Sequence, residues 1–228
     1  MGDALQNDLA SKLASGVETL GLSLSESQLQ QLMNYMALIQ KWNKVYNLTA
    51  VRDLQEMLTH HLLDSLSAIA PLTRHLKDAP KTGLAGSTLL DVGSGGGLPG
   101  VVIAICCPNI SVTCVDAVSK KAAFVQQVAA SLKLPNLKGV HARVETLSGP
   151  FDVICSRAFA SLPDFVTWSN QALGDQGVWM AMKGKLPAEE MAALPTFASV
   201  FHVEQLQVPG LDAERCMIWM KKQATLPV

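Results

Sequence analysis

The segment Leu89-Leu90-Asp91-Val92-Gly93-Ser94-Gly95-Gly96-Gly97-Leu98-Pro99-Gly100 constrains this chain more than any other. An apolar strand runs into glycines at alternate positions and then into a helix start. Glycine has no Cβ and reaches positive φ without strain, so such a turn lets backbone press against a ligand. The helix that follows directs free N–H groups at whatever lies there. Pro99 suits the first helical turn, where its missing N–H costs nothing. The segment predicts a cofactor cradle on an α/β sheet.

Two ligand classes compete for it. Gly95-Gly96-Gly97-Leu98-Pro99-Gly100 satisfies G-x-G-x-x-G, the dinucleotide fingerprint, which alone is a weak signal. Asp91-x-Gly93-x-Gly95-x-Gly97 places an acid two residues before the first glycine. A diphosphate on a helix start gains nothing from an adjacent anion. S-adenosyl-L-methionine carries a sulfonium and an ammonium, which welcome one, so Asp91 is a candidate cofactor residue. The plainer alternative is that Asp91 satisfies backbone N–H groups of the turn. A second apolar strand, Ser111 to Asp116, also ends in an acid. A carboxylate there can accept from both ribose hydroxyls, or it can cap the next helix.

The chain has 228 residues, 49% of them hydrophobic and 16% charged, so it can fill a large core. A net charge of −1 means that any nucleic-acid binding rests on a local patch. No apolar run approaches the roughly 20 residues needed to cross a bilayer, and the N-terminus lacks the basic and apolar stretches of a signal peptide. Five cysteines, an odd number without a C-x-x-C pair, read as core residues in a reducing compartment. No His or Cys stands at ligand spacing from Cys106-Cys107, so no metal site is expected. A cytoplasmic, monomeric protein without a membrane anchor is the expectation.

Residues 1–78 read as a helical extension. Ser25 to Gln28 has the form of a capping box, followed by an apolar face of Leu29, Leu32, Met33, Met36 and Ile39. Asp53 with Glu56 marks another helix start, continued on one face through Ile69. A turn-rich linker covers 79–87, and residues 79–228 form the second unit, the whole packing compactly. There, strands are expected near 88–92, 111–116, 137–142, 151–156, 177–183, 199–207 and 214–221. Helices are expected near 98–106, 118–133, 161–173 and 187–194. Alternation predicts parallel strands with right-handed crossovers. The short link Val208 to Ala213 makes the last two strands antiparallel. This α/β pattern, a seven-stranded and mainly parallel Rossmann-like sheet with a helical extension, is that of the class I methyltransferases.

Ligands of such sheets lie beyond the carboxyl ends of the strands. The loop after the fourth strand reads Ser156-Arg157-Ala158-Phe159, not the Asp/Asn-Pro-Pro-aromatic of amine methylation. Cys155 precedes the loop and is expected to point into the sheet. Arg157 offers a permanently charged, forked donor at the mouth of the site and is the catalytic candidate. A ring nitrogen such as guanine N7 attacks without losing a proton, so positioning and electrostatics suffice. Candidate RNA contacts are Lys41, Lys44, Lys183 and Arg215, with Trp42, Tyr46 and Phe159 available to stack on bases. Against this, Lys41 and Lys44 read equally as a solvated helix end, and His60-His61 as one surface and one core histidine.

Lys41-Trp42-Asn43-Lys44-Val45-Tyr46-Asn47-Leu48-Thr49, His61-Leu62-Leu63-Asp64-Ser65-Leu66, Leu90 to Gly100, Ser156 to Leu162 and Glu214-Arg215 together resemble the ribosomal RNA small subunit methyltransferase G family, once named glucose-inhibited division protein B. The resemblance spans nearly the whole chain. It implies transfer of a methyl group from S-adenosyl-L-methionine to N7 of one guanine in small-subunit (16S) ribosomal RNA, with the RNA or the 30S subunit as partner. It implies cofactor contacts at Gly93, Leu98, Val144, Glu145 and Arg157, with Asp116 in the place of the second-strand acid. The chain departs from the family at Asp116-Ala117-Val118-Ser119-Lys120-Lys121, where Asp-Ser-X-X-Lys-Arg is usual, and at Glu214-Arg215-Cys216-Met217, where Glu-Arg-His-Leu is usual. Two alternatives stand beside this reading: a nicotinamide-dependent oxidoreductase, and a non-catalytic RNA-binding factor of ribosome assembly.

Overall fold

The computed structural model describes residues 3–78 and 86–223, so most of the expected linker, 79–85, lies outside the described residues. Five α-helical segments come first: α1 (Asp3–Thr19), α2 (Glu26–Tyr46), α3 (Leu54–Met57), α4 (Asp64–Leu66) and α5 (Ile69–Asp78), with a π-helical stretch, Leu58–Leu63, between α3 and α4. The alternating part follows as β1 (Thr88–Val92), α6 (Gly100–Cys106), β2 (Ser111–Asp116), α7 (Ser119–Ser131), β3 (Leu137–His141), β4 (Phe151–Arg157), α8 (Leu162–Ser169), β5 (Leu173–Lys183), α9 (Ala188–Ala192), β6 (Ala198–Gln205) and β7 (Cys216–Lys222). A single 3₁₀ turn, Val144–Thr146, lies between β3 and β4.

The strands form one sheet in the order β3-β2-β1-β4-β5-β7-β6. The first five pair in parallel, and β7 runs antiparallel to both β5 and β6. Both faces are covered, so the central strands are apolar throughout rather than alternating with polar residues. On β5, Val178, Met180 and Met182 face the cluster that also holds Leu13, Leu32, Met36, Val101 and Phe124. Trp179 and Ala181 face the opposite cluster, with Phe165, Val166 and Ile218. Helices α1, α2, α5, α6 and α7 thus share one core with one face of the sheet. All five cysteines are free thiols, Cys106 half-buried and the other four buried, and Cys155 does point into the sheet.

Local chemistry explains the helix boundaries. The Ser25 hydroxyl accepts the Gln28 N–H while the Gln28 side chain takes the Ser25 N–H, completing the expected capping box. Asp53 Oδ1 accepts from Gln55 and Glu56 N–H at 2.8 and 3.0 Å. The helix it starts does not run through to Ile69 as its apolar period suggested. It widens to a π turn over Leu58–Leu63, and the chain breaks again before α5. Pro71 has no N–H for the Ser67 carbonyl, which ends the earlier helix. The π turn leaves the His60 carbonyl to a side chain of another element. Strand β5 begins at Leu173, four residues earlier than expected, because Leu173 pairs with Phe151 across a bulge. Gly174-Asp175-Gln176-Gly177 reads locally as a turn, and tertiary pairing overrides it.

The far cluster contains a hydrogen-bond chain. Trp179 Nε1 donates to Ser169 Oγ at 2.9 Å, and Ser169 Oγ donates to the Phe165 carbonyl. Both side chains are fully buried. Replacing Ser169 with alanine strands the indole N–H, so unfolding in urea should lose about 1–3 kcal/mol with an unchanged m-value. An unaltered midpoint would show that the indole N–H does not depend on the hydroxyl.

Candidate functional site

The glycine turn joins β1 to α6 with positive φ at Gly93 (63°), Gly95 (57°) and Gly97 (88°). Three side chains brace it. Asp116, at the end of β2, accepts the Gly95 N–H at 2.9 Å on one oxygen and the Val118 N–H at 2.8 Å on the other. Tyr35, buried on α2, donates its hydroxyl to the Gly96 carbonyl at 2.5 Å. Asp91 accepts the Gly100 N–H at 2.8 Å, at the start of α6, where Pro99 offers no capping side chain.

Two adjoining cavities open at this turn. The first, about 490 Å³, is walled by the turn from Gly93 to Leu98, by Thr49, His61 and Asp64 of the helical extension, and by Arg157, Lys183 and Arg215. The second, about 460 Å³, is walled by Asp116, Val144, Glu145, Phe159 and Trp168. Gly93, Lys121 and Ala158 line both. A Cβ on Gly93 would collide with the Phe159 ring, so this junction admits only glycine. Phe159 packs edge-on against Trp168, giving the second cavity an aromatic wall opposite Val144 and Glu145.

The expected site residues divide accordingly. Gly93, Leu98, Arg157, Lys183 and Arg215 meet at the first cavity, and Gly93, Asp116, Val144 and Glu145 at the second. Asp91 is fully buried and lines neither cavity. It braces helix α6 from behind the turn, with the thiols of Cys114 and Cys155 as its other polar neighbours. Burial pushes its carboxyl up to about 7, the Gly100 N–H opposing. Lys41 and Lys44 lie exposed on the last turns of α2, outside both linings.

Lys183 and Arg215 are engaged rather than free. Lys183 Nζ pairs with Glu190 at 2.8 Å and donates to the Ala160 carbonyl, tying the β4 loop to α9. Arg157 Nη1 donates to the His60 carbonyl at 2.8 Å and to Asp64 Oδ2 at 2.7 Å. Arg215 Nε donates to the other oxygen of Asp64 at 2.8 Å. His60 is exposed and His61 buried, as anticipated. The His61 ring lies 2.7 Å from the Thr49 hydroxyl, and burial together with the nearby Arg157 charge lowers it to about 4, so it is neutral near pH 7. Sequence reasoning assigned no role to Asp64, Thr49, Tyr35 or Trp168. Asp64 and Thr49 fall within the segments that carry the family resemblance, and Asp64 is the one carboxylate between Met57 and Ile69. Among the described residues no group of three or more His, Cys, Asp or Glu is placed to hold a metal, and no helix is long and apolar enough to cross a membrane.

Because Asp91 sits near 7 in the folded state against an ordinary 3.8, the folded chain holds a proton between those values that the unfolded chain has released. Its contribution to stability is present at low pH and is lost as pH rises through that window. Asp91→Asn keeps an oxygen for the Gly100 N–H and removes the titration. Its urea midpoint should fall less than that of the parent between about pH 5 and about pH 7.5. Parallel curves for the two proteins would refute the shift.

The family model described as rRNA small subunit methyltransferase G matches residues 28–218. A ribosomal RNA small subunit methyltransferase G from a Polaromonas species is 68% identical over 210 residues, 92% of each chain. The protein of that name from Paracidovorax citrulli is 65% identical over 218 residues, covering 93% of this chain and 90% of that one. Among solved structures, magnesium protoporphyrin IX methyltransferase from Synechocystis, with bound S-adenosylhomocysteine, superposes with a TM-score of 0.58 at 11% identity, over 82% of this chain and 99% of that one. Coclaurine N-methyltransferase does so with a TM-score of 0.55 at 11% identity, over 96% and 95%. These two share the fold, a class I methyltransferase sheet. The match to the family model and the identity to its members establish that the chain belongs to the rRNA small subunit methyltransferase G family.

Proposed function

We propose that this chain transfers the methyl group of S-adenosyl-L-methionine to N7 of a guanine in 16S ribosomal RNA, with the RNA or the 30S subunit as its partner in the cytoplasm. The observation that carries the reading is the pair of cavities joined at Gly93, one with an aromatic wall and the carboxylates Asp116 and Glu145, the other lined by Lys121, Arg157, Lys183 and Arg215. Family membership supports the substrate class. Neither the nicotinamide-dependent oxidoreductase nor the non-catalytic assembly factor finds support in the family.

The residues present fit the methyl donor. A Cβ-free junction at Gly93 admits close approach of a ligand, and Asp116 and Glu145 bring oxygens to the second cavity. In our reading the nucleoside end lies there, between Val144-Glu145 and the Phe159-Trp168 wall, with Asp116 near the ribose. Gly93 and Leu98 hold the passage toward the first cavity. When bound, S-adenosyl-L-methionine supplies an electrophilic methyl group on a sulfonium. The acceptor base occupies the first cavity, where Arg157 is the catalytic residue and can donate to an oxygen of the base or of the cofactor carboxylate. Asp91 contributes through the turn that it braces. Residues 1–78 act as the extension that completes the acceptor wall through Thr49, His61 and Asp64, and 79–228 as the methyltransferase unit. Lys41 and Lys44 are RNA contacts beyond the rim.

The site supplies little basicity. Among the described residues of the first cavity, Asp64 is the one carboxylate, and both its oxygens are taken by arginines. His61 is a weak base. Guanine N7 has an in-plane lone pair and no proton to lose, so an acceptor of this kind asks only for orientation.

Mapping N7-methylguanine in 30S subunits incubated with the protein and S-adenosyl-L-methionine tests the reading, and modification at another atom would overturn it. S-adenosylhomocysteine at about 100 times its Kd should stabilise the fold by roughly 2.7 kcal/mol, and NAD should not. Arg157→Lys should keep a charge near Asp64 yet lose methyl transfer roughly 100-fold, because a point charge cannot replace a planar fork that makes two contacts and keeps donors spare. Transfer near the parent rate by that variant would remove Arg157 from the site.

A further inference from the structure

Asp64 holds a position that the reaction as proposed does not require of a carboxylate. It is 3% exposed, at the end of the π turn, on the wall of the first cavity. A buried charge of this kind is stable only when paired and hydrogen-bonded. Its two partners come from the strands that flank β5: Arg157 closes β4, and Arg215 lies just before β7. One oxygen binds Nη1 of the first at 2.7 Å and the other binds Nε of the second at 2.8 Å.

A carboxylate that gives one oxygen to each of two planar guanidiniums fixes both rather than neutralising either alone. Each guanidinium has five N–H donors. Arg157 spends Nη1 on Asp64 and the His60 carbonyl, and Arg215 spends Nε and Nη1 on Asp64 and the Glu214 carbonyl. Among the described residues, Nε and Nη2 of Arg157 and Nη2 of Arg215 have no hydrogen-bond partner. The trio carries one net positive charge on a wall that also holds Lys121.

We propose that Asp64 is a positioning residue for the acceptor: it locks Arg157 and Arg215 into one two-armed clamp whose remaining N–H donors take oxygens of the target nucleotide. The inference rests on the reading that the first cavity receives the RNA. It assigns Arg215 to the acceptor nucleotide itself rather than to the general phosphate surface, and it explains why a buried carboxylate stands at this turn. A carboxylate serving only to glue the helix to the sheet would affect folding and leave acceptor binding alone.

The test compares the parent, Asp64→Asn, Arg215→Gln and the double variant. It measures 30S affinity without methyl donor, S-adenosylhomocysteine affinity by calorimetry, and thermal melts. If Asp64 acts through the arginines, Asp64→Asn should weaken subunit binding about tenfold, and the double variant should be no weaker than the worse single, since residues in one network do not add. Cofactor affinity should fall less than subunit affinity, because the nucleoside end lies in the other cavity and Arg157 keeps its contact with the His60 carbonyl. Losses that multiply, parent-like subunit binding by Asp64→Asn, or an equal fall in cofactor affinity would each overturn the proposal. Should Asp64→Asn not fold, Asp64→Glu keeps the charge and displaces both guanidiniums by one methylene. It should melt near the parent and bind subunits weakly, and tight binding by that variant overturns the proposal too. A parent protein that binds subunits but leaves guanine N7 unmodified would count against the proposed reaction and leave the clamp standing.

Discussion

The carboxylate of Asp116 is the contact on which the cradle depends. One oxygen holds the Gly95 N–H of the turn after β1, and the other holds the Val118 N–H ahead of α7. Two loops from adjacent parallel strands are thereby set at a fixed separation, and the cavities open where they part. Glycines at positive φ shape the turn, but they also make it soft, because glycine has the most conformations to lose. Asp116 from one side and the Tyr35 hydroxyl from the other remove that freedom. Tyr35 comes from α2, so the helical extension is part of what holds the turn in shape.

The same extension builds one wall of the first cavity by an irregularity. A regular α-helix through residues 54–66 would satisfy its own carbonyls. The π turn instead releases the His60 carbonyl to Arg157 and places Asp64 between two arginines. π turns cost hydrogen-bond geometry and persist where the surroundings use them. Here the use is visible: strands β4 and β7 both hand an arginine to one helical segment, and the sheet and the extension become a single wall.

Most of the fold was legible because the strong signals are local. Alternating apolar runs, glycine punctuation and the short link before β7 fixed the strand count and the reversed strand. The helix starts at Ser25 and Asp53 followed from side chains that cap their own backbone. The failures lie where distant parts decide. The start of β5 depends on pairing with Phe151 across a bulge, and no window around Gly174 carries that information. Helical period alone could not show the π turn, since the apolar face continues through it. In the site, Gly93, Leu98, Asp116, Val144, Glu145 and Arg157 reach the cavities as their motifs implied. Asp91 lies behind the turn on the Gly100 N–H, because sequence shows which residue type is near a turn, not on which side of it. Asp64 stands in a segment that carries the family resemblance, but its role is not legible there, because its partners lie 93 and 151 residues away.

Three buried or nearly buried aspartates therefore surround the site, and each makes structural hydrogen bonds. Asp91 caps α6 and is held near 7 by burial, Asp116 fixes the loops, and Asp64 fixes the arginines. A reaction that had to strip a proton from its acceptor would need one of them free and basic, in reach of the acceptor. The neutral imidazole of His61, hydrogen-bonded to Thr49, does not fill that gap. What the walls do offer is fixed direction: backbone of the turn on one side, forked cations on the other, with glycine at the junction. Rigid donors placed before the reaction cost no reorganisation during it, which is the form of catalysis left to an acceptor that is already a nucleophile. Among the described residues of the first cavity the one carboxylate is held by two arginines, so the walls present directed donors rather than a free carboxylate.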